Sequence, residues 1–106
     1  MLQLKHLASG ELPTVKGALY TATATVLVRA IRVVNTNVVY RMFNLYHYNG
    51  TTEARIGPKD LDLGPGFLVE HDQPLILEAG HVLRGDAEDT GMTYTIDGSI
   101  ETELLT

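Results

Sequence analysis

Four histidines are the side chains of this sequence best suited to metal or acid–base chemistry: His6, His47, His71 and His81. None stands in an H-x-H or H-E-x-x-H spacing, so no single stretch supplies a chelate. Only the fold can bring His47, His71 and His81 together into a three-imidazole centre, and scattered histidines are by default loop or surface residues. Nucleophiles are scarcer. Cys is absent, which excludes disulfides, thiolate zinc sites, iron–sulfur clusters and a cysteine nucleophile. Ser9 and Ser99 are the only serines, and neither sits in G-x-S-x-G. Carboxylates are plentiful, but a glycosidase pair needs a cleft between them, and no Trp is present to stack on a sugar. Gly64-Pro65-Gly66 lacks the Lys and Ser/Thr of a phosphate loop and reads as a turn between strands. No catalytic residue, metal or cofactor is expected.

Two groups of residues point instead to surfaces. Arg29, Arg32 and Arg41 fall in neighbouring predicted strands. They form either a basic stripe or, more ordinarily, outward-facing partners for acids on adjacent strands. Tyr40, Met42, Tyr46 and Tyr48 share one parity of an extended segment whose other parity holds Phe43 and Leu45. Both faces of that strand are therefore apolar, whereas a sheet face open to water is polar. Either a partner subunit covers the tyrosines, or a loop or the N-terminal segment does. On the first reading Tyr46→Ala weakens assembly and leaves the fold intact, while Phe43→Ala costs about 3–5 kcal/mol as a core truncation.

Charge is unevenly divided. Residues 1–59 carry seven Lys or Arg against two Asp or Glu, and residues 60–106 carry one against eleven, giving a net charge of -5. Either the halves interleave and neutralise each other, or copies meet basic surface to acidic surface, an arrangement that closes into a ring when the rotation allows. The acidic total argues against broad nucleic-acid binding. No apolar run is long enough to span a membrane, and the N-terminus lacks the apolar core of a secretory signal.

The elements that must position these residues are short strands. Ten glycines punctuate apolar runs at roughly the spacing of a sandwich or barrel, and no window carries a capped helical period. Strands are expected over 14–22, 25–35, 38–48, 53–56, 61–63, 67–71, 74–77, 82–87 and 92–97, with 100–105 closing the domain. In Thr25–Asn35 the alternation slips between Val26/Val28 and Ile31/Val33, which predicts a bulge near Arg29–Ala30. Asn35-Thr36-Asn37 is turn chemistry and predicts an antiparallel hairpin joining 25–35 to 38–48. Residues 1–12 read as an arm or a loose edge strand, with Leu2, Leu4 and Leu7 available to a neighbour, and 13–106 as one domain. With 106 residues, 44% apolar and 20% charged, the chain suits a single globular domain. The fold class is all-β: an antiparallel, jelly-roll-like sandwich of about eight strands.

The stretches LYTATATVLVRAIRVVNTN, VYRMFNLY, RIGPKDLDLGPG, PLILEAGHVLRGDA and YTIDGSIE together resemble small β-sandwich virion proteins of tailed bacteriophages. The segment Leu77-Glu78-Ala79-Gly80-His81-Val82-Leu83-Arg84-Gly85 matches an L-x-A-G-D-x-L-x-G element of that pattern, departing from it at His81, where Asp is usual. The resemblance spans roughly residues 18–101 and consists of strands and turns, not a catalytic signature. It implies a non-enzymatic capsid decoration (cement) protein, made in the bacterial cytoplasm and placed on the capsid surface. Its implied partners are its own copies, as a homotrimer, and the major capsid protein. A neck, tail or fibre domain, with a possible carbohydrate-binding role, is the alternative. A cupin-type metal enzyme is a third, but the paired His and nearby Glu of that family are missing.

Overall fold

The structure, a computed structural model, describes residues 2–57, 59–71 and 74–101. Among them ten strands follow one another: β1 (Leu2–Glu11), β2 (Gly17–Thr21), β3 (Val26–Asn35), β4 (Arg41–Tyr48), β5 (Glu53–Arg55), β6 (Leu61–Leu63), β7 (Leu68–His71), β8 (Leu75–Leu77), β9 (Val82–Ala87) and β10 (Met92–Glu101). Among the described residues there is no helix. The strands form two antiparallel five-stranded sheets, ordered β1-β10-β3-β7 and β2-β9-β4-β5, with β8 also on β3 and β6 also on β4. Along β3, residues 31–34 pair with β7 and residues 26–28 with β8. Along β4, residues 46–48 pair with β5 and residues 41–43 with β6. Each of these pairs of short strands thus shares one lane, so the two sheets present four lanes each.

The sheets pack face to face over a core in which every second residue points inward. Val26, Val28, Ile31 and Val33 of β3 and Met92, Tyr94 and Ile96 of β10 supply one side. Phe43 and Leu45 of β4, Leu83 and Ala87 of β9, Leu19 and Leu63 supply the other. Burying each aliphatic side chain of this size contributes about 1.5–3 kcal/mol. The inward pairs of β3 have opposite parity, and a bulge reconciles them. Asp97 pairs with Ala30 but Gly98 pairs with Val28, leaving Arg29 as the extra residue, within the stretch expected from the sequence. At this bulge the backbones come so close that a β-carbon on Gly98 would collide with the carbonyl oxygen of Leu27.

One expected connection is different. Residues 25–35 and 38–48 do not form a hairpin: β3 and β4 lie in opposite sheets. The Asn35 side chain turns the chain across the sandwich. Its Nδ2 donates to the carbonyls of Val39 (2.9 Å) and Leu63 (2.8 Å), and its Oδ1 accepts from the Asn37 backbone (2.9 Å). Both strands keep their apolar faces toward one core, which two partners in a single hairpin of this length would also do, so the pattern alone did not separate the two arrangements.

Of residues 1–12, read as an arm or a loose edge strand, Leu2–Glu11 run as the edge strand β1, paired along β10 from Leu2↔Glu101 to Glu11↔Thr93, with an irregularity between His6 and Ala8. The expected break between 97 and 100 is absent, because β10 runs unbroken from Met92 to Glu101. Residues 102–105 of the expected closing strand 100–105 lie outside the described residues. The charged halves interleave: Arg32 pairs with Asp97 (2.6 Å), Arg41 with Asp89 (3.2 Å) and Arg84 with Glu53 (3.4 Å).

Candidate interaction surface

Polar side chains anchor one end of the sandwich and leave its apolar ones outside. Thr36 donates through both its backbone nitrogen (2.9 Å) and its hydroxyl (2.6 Å) to the Gly91 carbonyl, and Asn37 Nδ2 donates to the Thr90 carbonyl (2.8 Å). With those groups tied down, Val38, Val39 and Tyr40 face water, Val38 at 90% exposure. The neighbouring turn behaves alike. Gly66, at a φ of 73° that favours glycine, donates its N–H to the Asn35 carbonyl (2.7 Å), and the turn presents Phe67 and Leu68, 64% and 56% exposed. A β-carbon on Gly64 would lie 3.2 Å from the Phe67 ring and 3.4 Å from the Tyr40 ring, so the two rings flank this glycine. Met42 is exposed just beyond, and the Arg41–Asp89 pair lies beside it. Large apolar groups gathered like this at a sandwich end mark a contact surface more than scattered exposure does.

The tyrosines of β4 divide between two roles. Tyr40 and Met42 belong to the exposed end. Tyr46 is 7% exposed, roofed by Lys16 Nζ, 4.1 Å from its ring centroid, and by the Arg55 guanidinium at 5.0 Å. Its hydroxyl donates to Asp86 (3.1 Å), and burial together with that carboxylate raises its pKa. Tyr48 is half-buried under Arg84, 3.9 Å from its centroid, and donates to the Gly50 carbonyl (2.9 Å). The layer covering this face is therefore a set of basic side chains whose charged heads lie over the rings, with Glu53 pairing the Lys16 and Arg84 charges. Beside Tyr46, Asn44 is buried yet fully bonded. Its Oδ1 accepts from Arg55 (2.6 Å) and the Asp60 backbone (2.7 Å), while its Nδ2 donates to Asp60 and Asp86 (both 3.0 Å). Leu7 is half-buried against the core. Leu2 and Leu4 lie on β1 opposite Glu101 and Ser99, and their side chains lie outside the described residues.

Two polar constellations remain. On the outer face of the first sheet, His6 Nε2 lies 3.2 Å from Ser9 Oγ and His6 Nδ1 3.2 Å from Asp97, the order of a hydrolase relay. Arg32 holds the other Asp97 oxygen at 2.6 Å, and the His6 side chain is 55% exposed. A relay in open water lacks the excluded, preorganised surroundings in which oriented charge accelerates chemistry. Burial pushes the Asp97 carboxyl up, but the hydrogen bonds from Arg32 and His6 outweigh it and hold the group below its ordinary value. At the opposite end of the sandwich from Tyr40, His47 Nε2 and His81 Nδ1 are 3.0 Å apart, both half-buried. Desolvation, then the His81 ring, lowers the His47 pKa. His71 pairs with Ile31 on the other sheet, and its side chain is not among those described. No three His, Asp or Glu side chains gather as a metal centre among the described residues, and no described helix is long and apolar enough to cross a membrane.

Of the residues expected at an interface, Tyr40 and Met42 are exposed; Val38, Val39, Phe67 and Leu68, also exposed, are not among those the sequence singles out. The adjacency of Gly64 to both rings is a tertiary fact, and only the run of three large residues after Asn37 hinted at the patch. Comparison with known protein families, curated proteins and solved structures finds no match.

Proposed function

We propose that this chain is a non-enzymatic structural protein of a tailed-phage virion, a decoration (cement) protein that binds the outer capsid surface as a homo-oligomer, a trimer, and stabilises the head. The observation that carries this reading is the exposed apolar end formed by Val38, Val39, Tyr40, Phe67 and Leu68 on a rigid two-sheet scaffold. Such a surface suits docking on another protein, with aromatic rings as anchors. The strand order supports naming the sandwich a jelly roll, since β1-β10-β3 with β7/β8 faces β2-β9-β4 with β5/β6 in eight lanes. Interfaces repeated over a capsid gain by multivalency, so each contact can be modest.

The test is a mass measurement by light scattering, followed by heating of expanded capsids with and without the protein. An oligomer that raises the heat resistance of capsids supports the reading. A strict monomer that leaves capsids unchanged rejects it. The rings of Tyr40 and Phe67 beside Gly64 also favour a second reading, a tail or fibre domain that stacks a sugar on this platform. Glycan-array binding lost on Tyr40→Ala, with no effect on capsids, selects that reading.

A further inference from the structure

We propose that His47 and His81 form a two-imidazole chelate for a divalent transition-metal ion. The argument begins with separation. With metal–nitrogen bonds of about 2.0–2.1 Å, two imidazoles at right angles around a metal stand about 2.9 Å apart, and two at a tetrahedral angle about 3.3 Å. The Nε2 of His47 and Nδ1 of His81 are 3.0 Å apart, and their rings are tilted by 49°. That contact is a hydrogen bond, one of the two nitrogens carrying the proton, so an ion would take the place of that proton; the separation lies in the range for two nitrogens on one ion and does not by itself choose the geometry. The order of affinities for nitrogen sites favours Cu²⁺.

Both ligands sit on fixed backbone. His47 lies within β4, between Ala54 of β5 and Leu83 of β9. His81 ends a turn closed by three backbone hydrogen bonds: its N–H to the Glu78 carbonyl (2.9 Å), the Gly80 N–H to the Ala22 carbonyl (2.8 Å) and the Ala22 N–H to the His81 carbonyl (2.9 Å). Little chain entropy remains to be lost when the ion binds. Half-burial leaves the rings reachable, and water completes the coordination because two protein ligands leave the other positions open. The site is independent of the apolar end and of the proposed role on a capsid.

Isothermal titration of the full chain with NiCl₂ and CuCl₂ at pH 7.5 tests the assignment, alongside His47→Gln and His81→Gln. Glutamine preserves a hydrogen bond across the pair and is a poor ligand. Binding of one ion per chain is expected, weakened at least about tenfold by either substitution, because each removes the second, intramolecular contact. Far-UV circular dichroism without metal establishes that each variant is folded. If one variant does not fold, the Cu²⁺ electron paramagnetic resonance spectrum of the unaltered chain decides, since two equatorial nitrogens support the site and one or none overturns it. No saturable binding, or equal binding by both variants through His6 or His71, also overturns it.

Discussion

The side-chain amide of Asn35, at the end of β3, donates to the main-chain oxygen of Leu63, in β6 of the opposite sheet, at 2.8 Å in the buried interior. One residue thus closes an inter-sheet connection, bonds the Val39 carbonyl and caps the turn through Asn37. Asn35→Ala leaves buried carbonyls without a donor and is expected to cost at least about 2 kcal/mol, read from urea unfolding. A loss under about 0.5 kcal/mol would show that water replaces the amide.

Gly98→Ala tests the bulge. A methyl group there meets the Leu27 carbonyl, and two central strands must separate to admit it. Overpacking of this kind costs about 1–3 kcal/mol or more, so the melting temperature falls by several degrees. Arg29→Ala, at the exposed extra residue of the same bulge, is expected to change stability by no more than about 0.5 kcal/mol.

Tyr46 and Tyr40 separate folding from docking. Tyr46→Ala is expected to cost about 3–5 kcal/mol, comparable to Phe43→Ala, because both rings are buried. Tyr40→Ala combined with Phe67→Ala leaves thermal unfolding nearly unchanged and reduces self-association or capsid binding by about thirtyfold or more, if these rings are the anchors. Equal thermal losses in the two sets would show that the apolar end belongs to the fold.

One histidine and one aspartate shape the acid response. The folded chain holds His47 below its ordinary value through desolvation and then through the His81 ring, so it resists protonation there. The stabilisation is whole above about pH 6.5 and declines as the pH falls through that value and on toward the lowered one. Asp97 is also held low, the Arg32 and His6 hydrogen bonds outweighing burial. Its contribution is present above about pH 4 and is lost as the pH falls further. Melting temperature against pH should therefore show two declines. His47→Gln removes the upper one, and Asp97→Asn reduces the lower one, to which Glu53, held low by its hydrogen bonds to Lys16 and Arg84, also contributes.

What the sequence made legible was local. The slip between Val28 and Ile31 is a parity signal within one strand, and it located the bulge without any knowledge of a partner. The alternation of Met92, Tyr94 and Ile96 marked a core face for the same reason. The crossing after Asn35 was not legible, because an inward apolar face looks the same whether the next strand lies beside it or across the core. Tyr46 was ambiguous because parity treats an outer face as open to water, whereas here Lys16 and Arg55 from other segments roof it. The His47–His81 contact joins residues 34 apart in the chain, with no spacing rule to announce it.

Because β10 sits between β1 and β3, a ribosome must deliver residues 92–101 before the first sheet can close. Until then the inward faces of β1 and β3 have no common neighbour, and the nascent chain carries an open seam. Non-local pairing of this kind slows folding to roughly milliseconds or seconds. The first sheet therefore offers a finished surface only once synthesis has passed β10.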